Sequence, residues 1–256
     1  MLLENKVAVV TGGAQGIGKG IALKLAEEGA KVAVLDIKDA STTAGQIQEA
    51  GGQAKVYLVN VTKLEDVKNA FDDILNEWER IDILVNNAGI YPLENFTDIS
   101  VDRVRMVMEI NFMGTFICSQ QAARAFLAKG IPGTIINISS AAGITPEKYH
   151  AHYAASKAAV IAFSKAIALE LGPRGIRVNV VAPGAIETEG AMDPGLFPDS
   201  ENIPEDFQDI QIRKSSFLGK MGSPEDVASV VLFLASEKAS YFSGAVISVD
   251  GGRTLL

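Results

Sequence analysis

The sequence predicts an α/β fold, a doubly wound parallel sheet of seven strands in a single domain spanning residues 1–256. Three observations carry that expectation. Short apolar, β-branched runs alternate with longer helical segments, the pattern of a parallel sheet with right-handed crossovers. The first run ends in a Gly-rich turn that opens a helix, Thr11-Gly12-Gly13-Ala14-Gln15-Gly16-Ile17-Gly18. The composition, 48% apolar and 21% charged over 256 residues, suits one domain with an ample core.

The first strand is Val-Ala-Val-Val at 7–10, a buried parallel strand by its continuous apolar character. Ile17, Ile21, Leu25 and Ala26 then recur at helical spacing across 17–28, and Gly29 suits the C-cap. Strand, glycine turn and helix make a dinucleotide-binding start. The glycines let the backbone approach a pyrophosphate, whose charge rests at the helix N-terminus. The spacing is Gly-x-x-x-Gly-x-Gly, not the commoner Gly-x-Gly-x-x-Gly, and a purely structural turn is the alternative.

A second strand at 31–35 ends in Asp36, 18 residues past Gly18. A carboxylate there accepts hydrogen bonds from adenosine ribose hydroxyls and repels a 2′-phosphate. Neither Gln15 nor Ile37 supplies a cation, although Lys38 is close. The expected cofactor is therefore NAD rather than NADP, with Asp36 as an ordinary loop acid the alternative.

Helices are expected at 40–50, 64–79, 100–128, 151–171 and 224–235, with strands at 54–59, 81–85, 133–138, 176–181 and 245–249. Residues 151–171 hold no Gly or Pro, and within them Tyr153 and Lys157 share a helix face. A fixed cation favours a phenolate. At about 4 Å and an effective dielectric of about 20 the attraction is roughly 4 kcal/mol, enough to make a tyrosine useful as an acid or base. Such a pair also arises by chance; the Gly-rich turn gives it weight. Residues 189–216, with Pro194, Pro198, Pro204 and many acids, form a loop too long for a simple connection. A substrate lid over the strand C-termini is the preferred reading.

A net charge of −8 argues against nucleic acid as a partner. No apolar stretch reaches the length of a membrane span. The opening Met-Leu-Leu-Glu-Asn-Lys runs straight into the first strand, so no signal peptide is expected and a cytoplasmic location is the default. Cys118, the single cysteine, excludes intramolecular disulfides and Cys-rich metal sites, and suits a small filler on a helix.

Further motifs sit at strand ends: Asn86-Asn87-Ala88-Gly89, Ser139-Ser140, and Pro183-Gly184-x-Ile186-x-Thr188, with Asn111 inside a helix. With the Gly-rich turn and Tyr-x-x-x-Lys, they make the chain resemble the short-chain dehydrogenase/reductase family, in its Rossmann-like single-domain form, over essentially its whole length. The resemblance implies a catalytic set of Ser140, Tyr153, Lys157 and Asn111. Ser140 is chosen over Ser139 because it lies 13 residues before Tyr153 and opens Ser-Ala-Ala-Gly; Ser139 then serves the backbone. Asn111 would help hold a water linked to the lysine, and Lys157 would lower the Tyr153 pKa while bonding the nicotinamide ribose.

The same resemblance implies coenzyme contacts at Thr11, Gly12, Gln15, Gly16, Ile17, Gly18, Asp36 and Ile37, at Asn60 and Val61, and at Asn87, Ala88 and Gly89. Tyr153, Lys157, Pro183 and Gly184 join them, with Thr188 and the Ile186 backbone gripping the carboxamide. The family usually has Asp-Val where this chain has Asn60-Val61; Asn keeps an acceptor for adenine and gains donors. His150 and His152 flank the helix start. His152 either faces the substrate or, as preferred, is a surface or capping residue.

The implied activity is interconversion of a small to medium secondary alcohol and a ketone, with cyclic, aryl and diol substrates among the candidates, without a metal. Pocket walls are expected at Ile90 to Pro92, Ala141 to Tyr149 and the 189–216 segment. An acyl-carrier-protein (3-oxoacyl) reductase or a sugar dehydrogenase are alternatives within the family, and a non-catalytic dinucleotide sensor is one outside it. Residues 227–235 and Val249-Asp250-Gly251-Gly252 resemble subunit-contact regions and imply a homotetramer, although those faces equally suit a core.

Overall fold

Continuous apolar runs become strands, buried on both faces at the centre of the sheet and half-exposed at its two edges. In the computed structural model, which describes residues 1–188 and 216–255, these are β1 (Val7–Thr11), β2 (Lys31–Asp36), β3 (Gln53–Leu58), β4 (Ile83–Asn86), β5 (Gly133–Ile138), β6 (Ile176–Pro183) and β7 (Val246–Val249). They form one parallel sheet in the order β3-β2-β1-β4-β5-β6-β7, the doubly wound architecture expected. The order reverses between β1 and β4, and ligands of such sheets bind in the crevice outside the strand carboxyl ends at that point. The 189–216 segment read as a lid lies outside the described residues, apart from Ser216.

Seven α-helices among the described residues cover the two faces: α1 (Gly16–Glu27), α2 (Ser41–Glu49), α3 (Leu64–Trp78), α4 (Val101–Met108), α5 (Gly114–Lys129), α6 (Ala151–Leu171) and α7 (Pro224–Ala235). Ile21 and Leu25 of α1, Ile47 of α2 and Val231 of α7 pack with β1 and β2 on one side. Phe71 and Ile74 of α3 and Cys118, Ala122 and Phe126 of α5 fill the other. Val227, Ala228, Val231, Leu232 and Leu234 are buried within the chain, so the core alternative holds for the apolar face of α7.

The single helix expected over 100–128 is two α-helices joined by a π-helical turn at Glu109–Met113. Ser100 starts it by accepting a hydrogen bond from the Arg103 N–H at 3.1 Å. Turns of this kind inside helices are frequent at functional sites, and this one contains Asn111.

A buried amide ladder stiffens the sheet beneath the carboxyl ends. Asn86 and Asn137 face each other across β4 and β5. Asn86 Nδ2 donates to Asn137 Oδ1 at 2.8 Å and to Ser119 Oγ at 2.9 Å, and Asn137 Nδ2 donates to Ser164 Oγ at 2.8 Å. Satisfied polar networks in a low dielectric fix geometry that apolar packing leaves loose. This one ties α5 and α6 to the central strands.

Candidate active site

The first wall of the site is the turn after β1. Gly12 has φ +67°, and a Cβ there would lie 2.8 Å from Ala88 Cα. A Cβ on Gly18 would fall onto the Gly12 carbonyl, so only glycine allows α1 to start this close to the turn. Asn87 Nδ2 donates to the Thr11 and Gly12 carbonyls at 3.1 and 3.0 Å. Thr11 Oγ1 accepts from the Asn87 and Ala88 N–H groups at 3.0 and 3.1 Å. The motif after β4 thus clamps the glycine turn. Among the described residues no side chain caps α1, and no acid lies in its first turn. An anion fits that end of the helix.

Asp36 closes the adenosine side. Its Oδ2 accepts from the Ala14 N–H and its Oδ1 from the Lys38 N–H, both at 2.9 Å. The Lys38 ammonium donates to Gln15 Oε1 at 3.3 Å. Ile37 is exposed, while Val61 is buried in the core. The Asn60 acceptor expected for adenine is already engaged: Oδ1 takes the Thr62 N–H at 3.0 Å and the Thr62 hydroxyl at 2.9 Å. A short polar side chain at a strand end satisfies its own turn first.

On the other side of the switch point, the segment after β6 is held from two directions. A Cβ on Gly184 would lie 2.8 Å from Asp250 Cα, and Ile186 pairs with Gly222 while its side chain joins the core. Thr188 faces the glycine turn, since a Cβ on Gly16 would come within 3.4 Å of Thr188 Cβ. The segment from Pro183 to Thr188 therefore meets the glycine turn at Gly16.

Ser140 follows β5, and its Oγ accepts from the Ala142 N–H at 3.1 Å. The glycine of its Ser-x-x-Gly pattern has a packing reason. A Cβ on Gly143 would lie 2.9 Å from the Lys157 carbonyl carbon, so only glycine brings this turn against α6. Ser139 donates to the Lys157 carbonyl at 2.9 Å, serving backbone as expected, but that of the neighbouring helix. The Ser140 side chain lies beside Tyr153 and acts to lower its pKa.

Lys157 Nζ lies 5.8 Å from the Tyr153 ring centroid and donates to the Ile138 carbonyl at 3.0 Å. Burial lowers its pKa to about 8. Burial also raises the Tyr153 pKa, with the neighbouring Ser140 side chain pulling it back. The softening of Tyr153 by Lys157 is therefore not what this geometry shows. The ammonium is turned toward a carbonyl of β5, and desolvation of the phenolate outweighs the other influences.

Asn111 contacts the loop after β4. Its Oδ1 accepts from the Ile90 N–H at 2.8 Å; its Nδ2 donates to the Ile90 carbonyl at 2.9 Å and to Ser156 Oγ at 3.0 Å. A Cβ on Gly89 would lie 3.0 Å from Asn111 Oδ1 and 3.4 Å from Lys157 Nζ. Gly89, Asn111 and Lys157 thus meet at one point. Asn111 also locks the backbone of the Ile90 loop.

Both histidines are buried, which for His152 is against the preferred expectation of a surface or capping residue. His150 occupies the N-cap of α6 without capping it. Its ring centroid lies 5.7 Å from that of Tyr153, and the Tyr91 ring stands edge-on to Tyr153 at 6.3 Å. His152 points elsewhere, its Nε2 4.0 Å from a Glu94 carboxylate that pairs with Arg103 at 2.7 Å. Arg253 near the C-terminus pairs with Glu147 on the loop before α6. That pair spans 106 residues and carries no sequence signal.

A family model described as enoyl-(acyl carrier protein) reductase matches residues 12–254. The 3-oxoacyl-[acyl-carrier-protein] reductase FabG of Thermotoga maritima is 39% identical over 257 residues, covering 100% of both chains. The 3beta-hydroxysteroid dehydrogenase 1 of Eggerthella lenta is 38% identical over 256 residues, covering 99% of this chain and 95% of its own. The crystal structure of a short chain dehydrogenase from Mycobacterium paratuberculosis bound to NAD superposes with a TM-score of 0.93 at 32% identity, over 100% of both chains. Matched by these relatives over its whole length, this chain belongs to the short-chain dehydrogenase/reductase family.

Proposed function

We propose that the protein is an NAD(H)-dependent oxidoreductase that interconverts a secondary alcohol and a ketone, with Ser140, Tyr153, Lys157 and Asn111 as its catalytic set. One observation carries the reading. Ser140 and Tyr153 side by side, with the Lys157 ammonium beside the ring, lie at the same strand ends as a glycine turn in which a Cβ at Gly12 or Gly18 would collide with backbone. A nicotinamide dinucleotide held there would give or accept the hydride.

The chain's own groups do the rest. Gly12, Gln15, Gly16, Ile17 and Gly18 would bind the pyrophosphate through backbone N–H groups, with Thr11, Asn87, Ala88 and Gly89 bracing the turn. Asp36 would take the adenosine ribose hydroxyls, with Ile37, Asn60 and Val61 beside the adenine. Pro183, Gly184, Ile186 and Thr188 would orient the carboxamide end. In reduction, Ser140 and Tyr153 donate hydrogen bonds to the carbonyl oxygen and Tyr153 delivers its proton. In oxidation, the Tyr153 phenolate removes the hydroxyl proton. Lys157 would hold the nicotinamide ribose, and Asn111 would keep the Ile90 loop and the α6 backbone in register.

Asp36 supports NAD over NADP, because a 2′-phosphate beside its carboxylate would meet like charge in a partly desolvated turn. The NAD-bound M. paratuberculosis neighbour supports the same choice. The T. maritima relative favours a second reading, 3-oxoacyl reduction on a carrier protein. A homotetramer and a cytoplasmic location belong to the proposal; the half-buried β7 at the sheet edge supports the former. Light scattering and cell fractionation test them.

The decisive assay follows NAD⁺ reduction at alkaline pH with a panel of secondary alcohols, beside acetoacetyl thioester reduction with NADH and NADPH. Tyr153→Phe should abolish turnover while NADH binding, read by fluorescence, survives. A variant that keeps most of its activity would remove Tyr153 from the proton-transfer role.

A further inference from the structure

The segment after β7 has no role in the chemistry above, yet it grips the stretch of chain between Ser140 and Tyr153. Gly251 and Gly252 have φ of +60° and +90° and let it turn sharply. Asp250 fixes that turn: Oδ1 accepts from the Gly252 N–H at 3.0 Å and Oδ2 from the Thr254 N–H at 2.8 Å. The Gly251 carbonyl accepts from the Phe217 N–H at 2.8 Å, and Asp250 packs closely on Gly184. The segment is therefore braced on the chain after β6 and on the residues that lead into α7.

From this base it presents Arg253. The Arg253 Nε donates to Glu147 Oε1 at 2.8 Å, and a second guanidinium nitrogen meets the same oxygen. The two side chains are only 16% and 29% exposed, so the bond is shielded from water and stronger than an ordinary surface pair.

Glu147 lies in the loop that joins the 3₁₀ turn Ala141–Gly143 to α6. That loop ends in strain, with Tyr149 at φ +65°, a conformation bulky side chains rarely adopt. Such a backbone persists only where its surroundings over-determine it. Two contacts from distant parts of the chain act there. The Glu94 N–H donates to the Tyr149 carbonyl at 3.0 Å, and Arg253 holds Glu147. Burial lowers the His150 pKa to about 4, while Glu147 raises it and Arg253 lowers it. Both charges thus reach the N-cap of α6, one turn before Tyr153.

The ends of this loop are fixed without Arg253. Ser140 Oγ takes the Ala142 N–H, Gly143 lies against the Lys157 backbone, and Tyr153 rides on α6. What Arg253 governs is the stretch from 144 to 149. Resting on the alcohol–ketone reading above, we propose that Arg253 is a positioning residue. Through Glu147 it fixes the loop between the two groups assigned to the reacting oxygen, and so sets how the substrate is seated without touching substrate or coenzyme.

The test uses the full-length protein with cyclohexanol and 1-phenylethanol plus NAD⁺, and with cyclohexanone and acetophenone plus NADH. Arg253→Met removes the guanidinium and keeps most of the stem. It should raise KM for the alcohol or ketone about fivefold or more, the effect of a lost charge-assisted bond, with a smaller fall in kcat. The Kd for NADH, read by fluorescence, should stay within about twofold, because the glycine turn shares no partner with the pair. Glu147→Gln should act alike and guards against a methionine variant that fails to fold. The double variant should cost no more than either single one, since the pair acts as a unit. Arg253→Lys keeps the charge and should recover part of the KM. Hydrogen exchange should be faster over residues 144–150 in Arg253→Met and unchanged over 12–28. A parent that turns over a probe, with KM unmoved in both single variants, overturns the inference and leaves the alcohol–ketone reading intact. So does a loss of KM, kcat and NADH affinity together, which would mark a merely structural pair. A parent that turns over none of the four probes overturns that reading and this inference with it.

Discussion

Replacing Lys157 with Met should change how stability depends on pH. The ammonium is buried, donates to the Ile138 carbonyl at 3.0 Å and has its pKa lowered from 10.5 to about 8. Below about pH 8 folding must bury a charged lysine, so the group costs stability there. As pH rises from about 8 toward 10.5 the native lysine is neutral while the unfolded one still holds its proton. The unfolded chain then binds more protons, and stability climbs with pH. Integrating the two titrations between about pH 7 and about pH 9.5 gives a gain of about 2 kcal/mol in the parent that the variant lacks. The lost bond to Ile138 adds an offset of about 1–3 kcal/mol, but that offset is the same at each pH and cancels in the slope. Urea denaturation followed by the fluorescence of Trp78, the single tryptophan, reads both proteins across the range. A parent–variant difference constant to within about 0.5 kcal/mol would refute the burial argument, and a difference that shrinks as pH rises would reverse it.

Two further outcomes rest on single contacts. Asn111→Leu leaves the Ile90 N–H, the Ile90 carbonyl and the Ser156 hydroxyl without the partner they have now. It should cost about 3 kcal/mol or more in urea denaturation, and a loss within about 0.5 kcal/mol would mean that water replaces the amide. Asp36→Ala should lower the NAD-to-NADP ratio of kcat/KM about tenfold or more, as expected for removal of a like charge beside a 2′-phosphate. A ratio unchanged in steady-state kinetics would place the discrimination elsewhere, with Lys38 the first candidate.

The sheet and the coenzyme turn were legible because local rules dictate them. Val7–Val10 is apolar on both faces since both faces are covered, and Gly12 and Gly18 are glycines since a Cβ would strike Ala88 or the Gly12 carbonyl. The π turn at Asn111 was hidden, because it answers to hydrogen bonds with Ile90, 21 residues earlier, and not to helix periodicity. The burial of His150 and His152 was missed for a related reason. The groups around them, Glu94, Arg103, Glu147 and Arg253, come from three separate stretches of chain. A motif gave the spacing of Tyr153 and Lys157 but not the balance between desolvation and attraction, which depends on where the ammonium turns.

That balance bears on what a pH profile of alcohol oxidation reports. Tyr153 and Lys157 share one buried site, so a proton lost from it belongs to the pair, and the apparent pKa does not by itself name the donor. Ser140 separates the two cases, because its side chain acts on Tyr153 and lowers its pKa. If oxidation requires the phenolate, Ser140→Ala should move the rising limb of kcat/KM to higher pH as well as slowing turnover, since an oxyanion donor is lost with it. If the limb instead records deprotonation of Lys157, removal of the hydroxyl should slow the reaction and leave the limb where it was. The phenolate mechanism requires the first result; a limb that stays fixed while the rate falls would assign the titration to the lysine and leave Ser140 as an oxyanion donor alone.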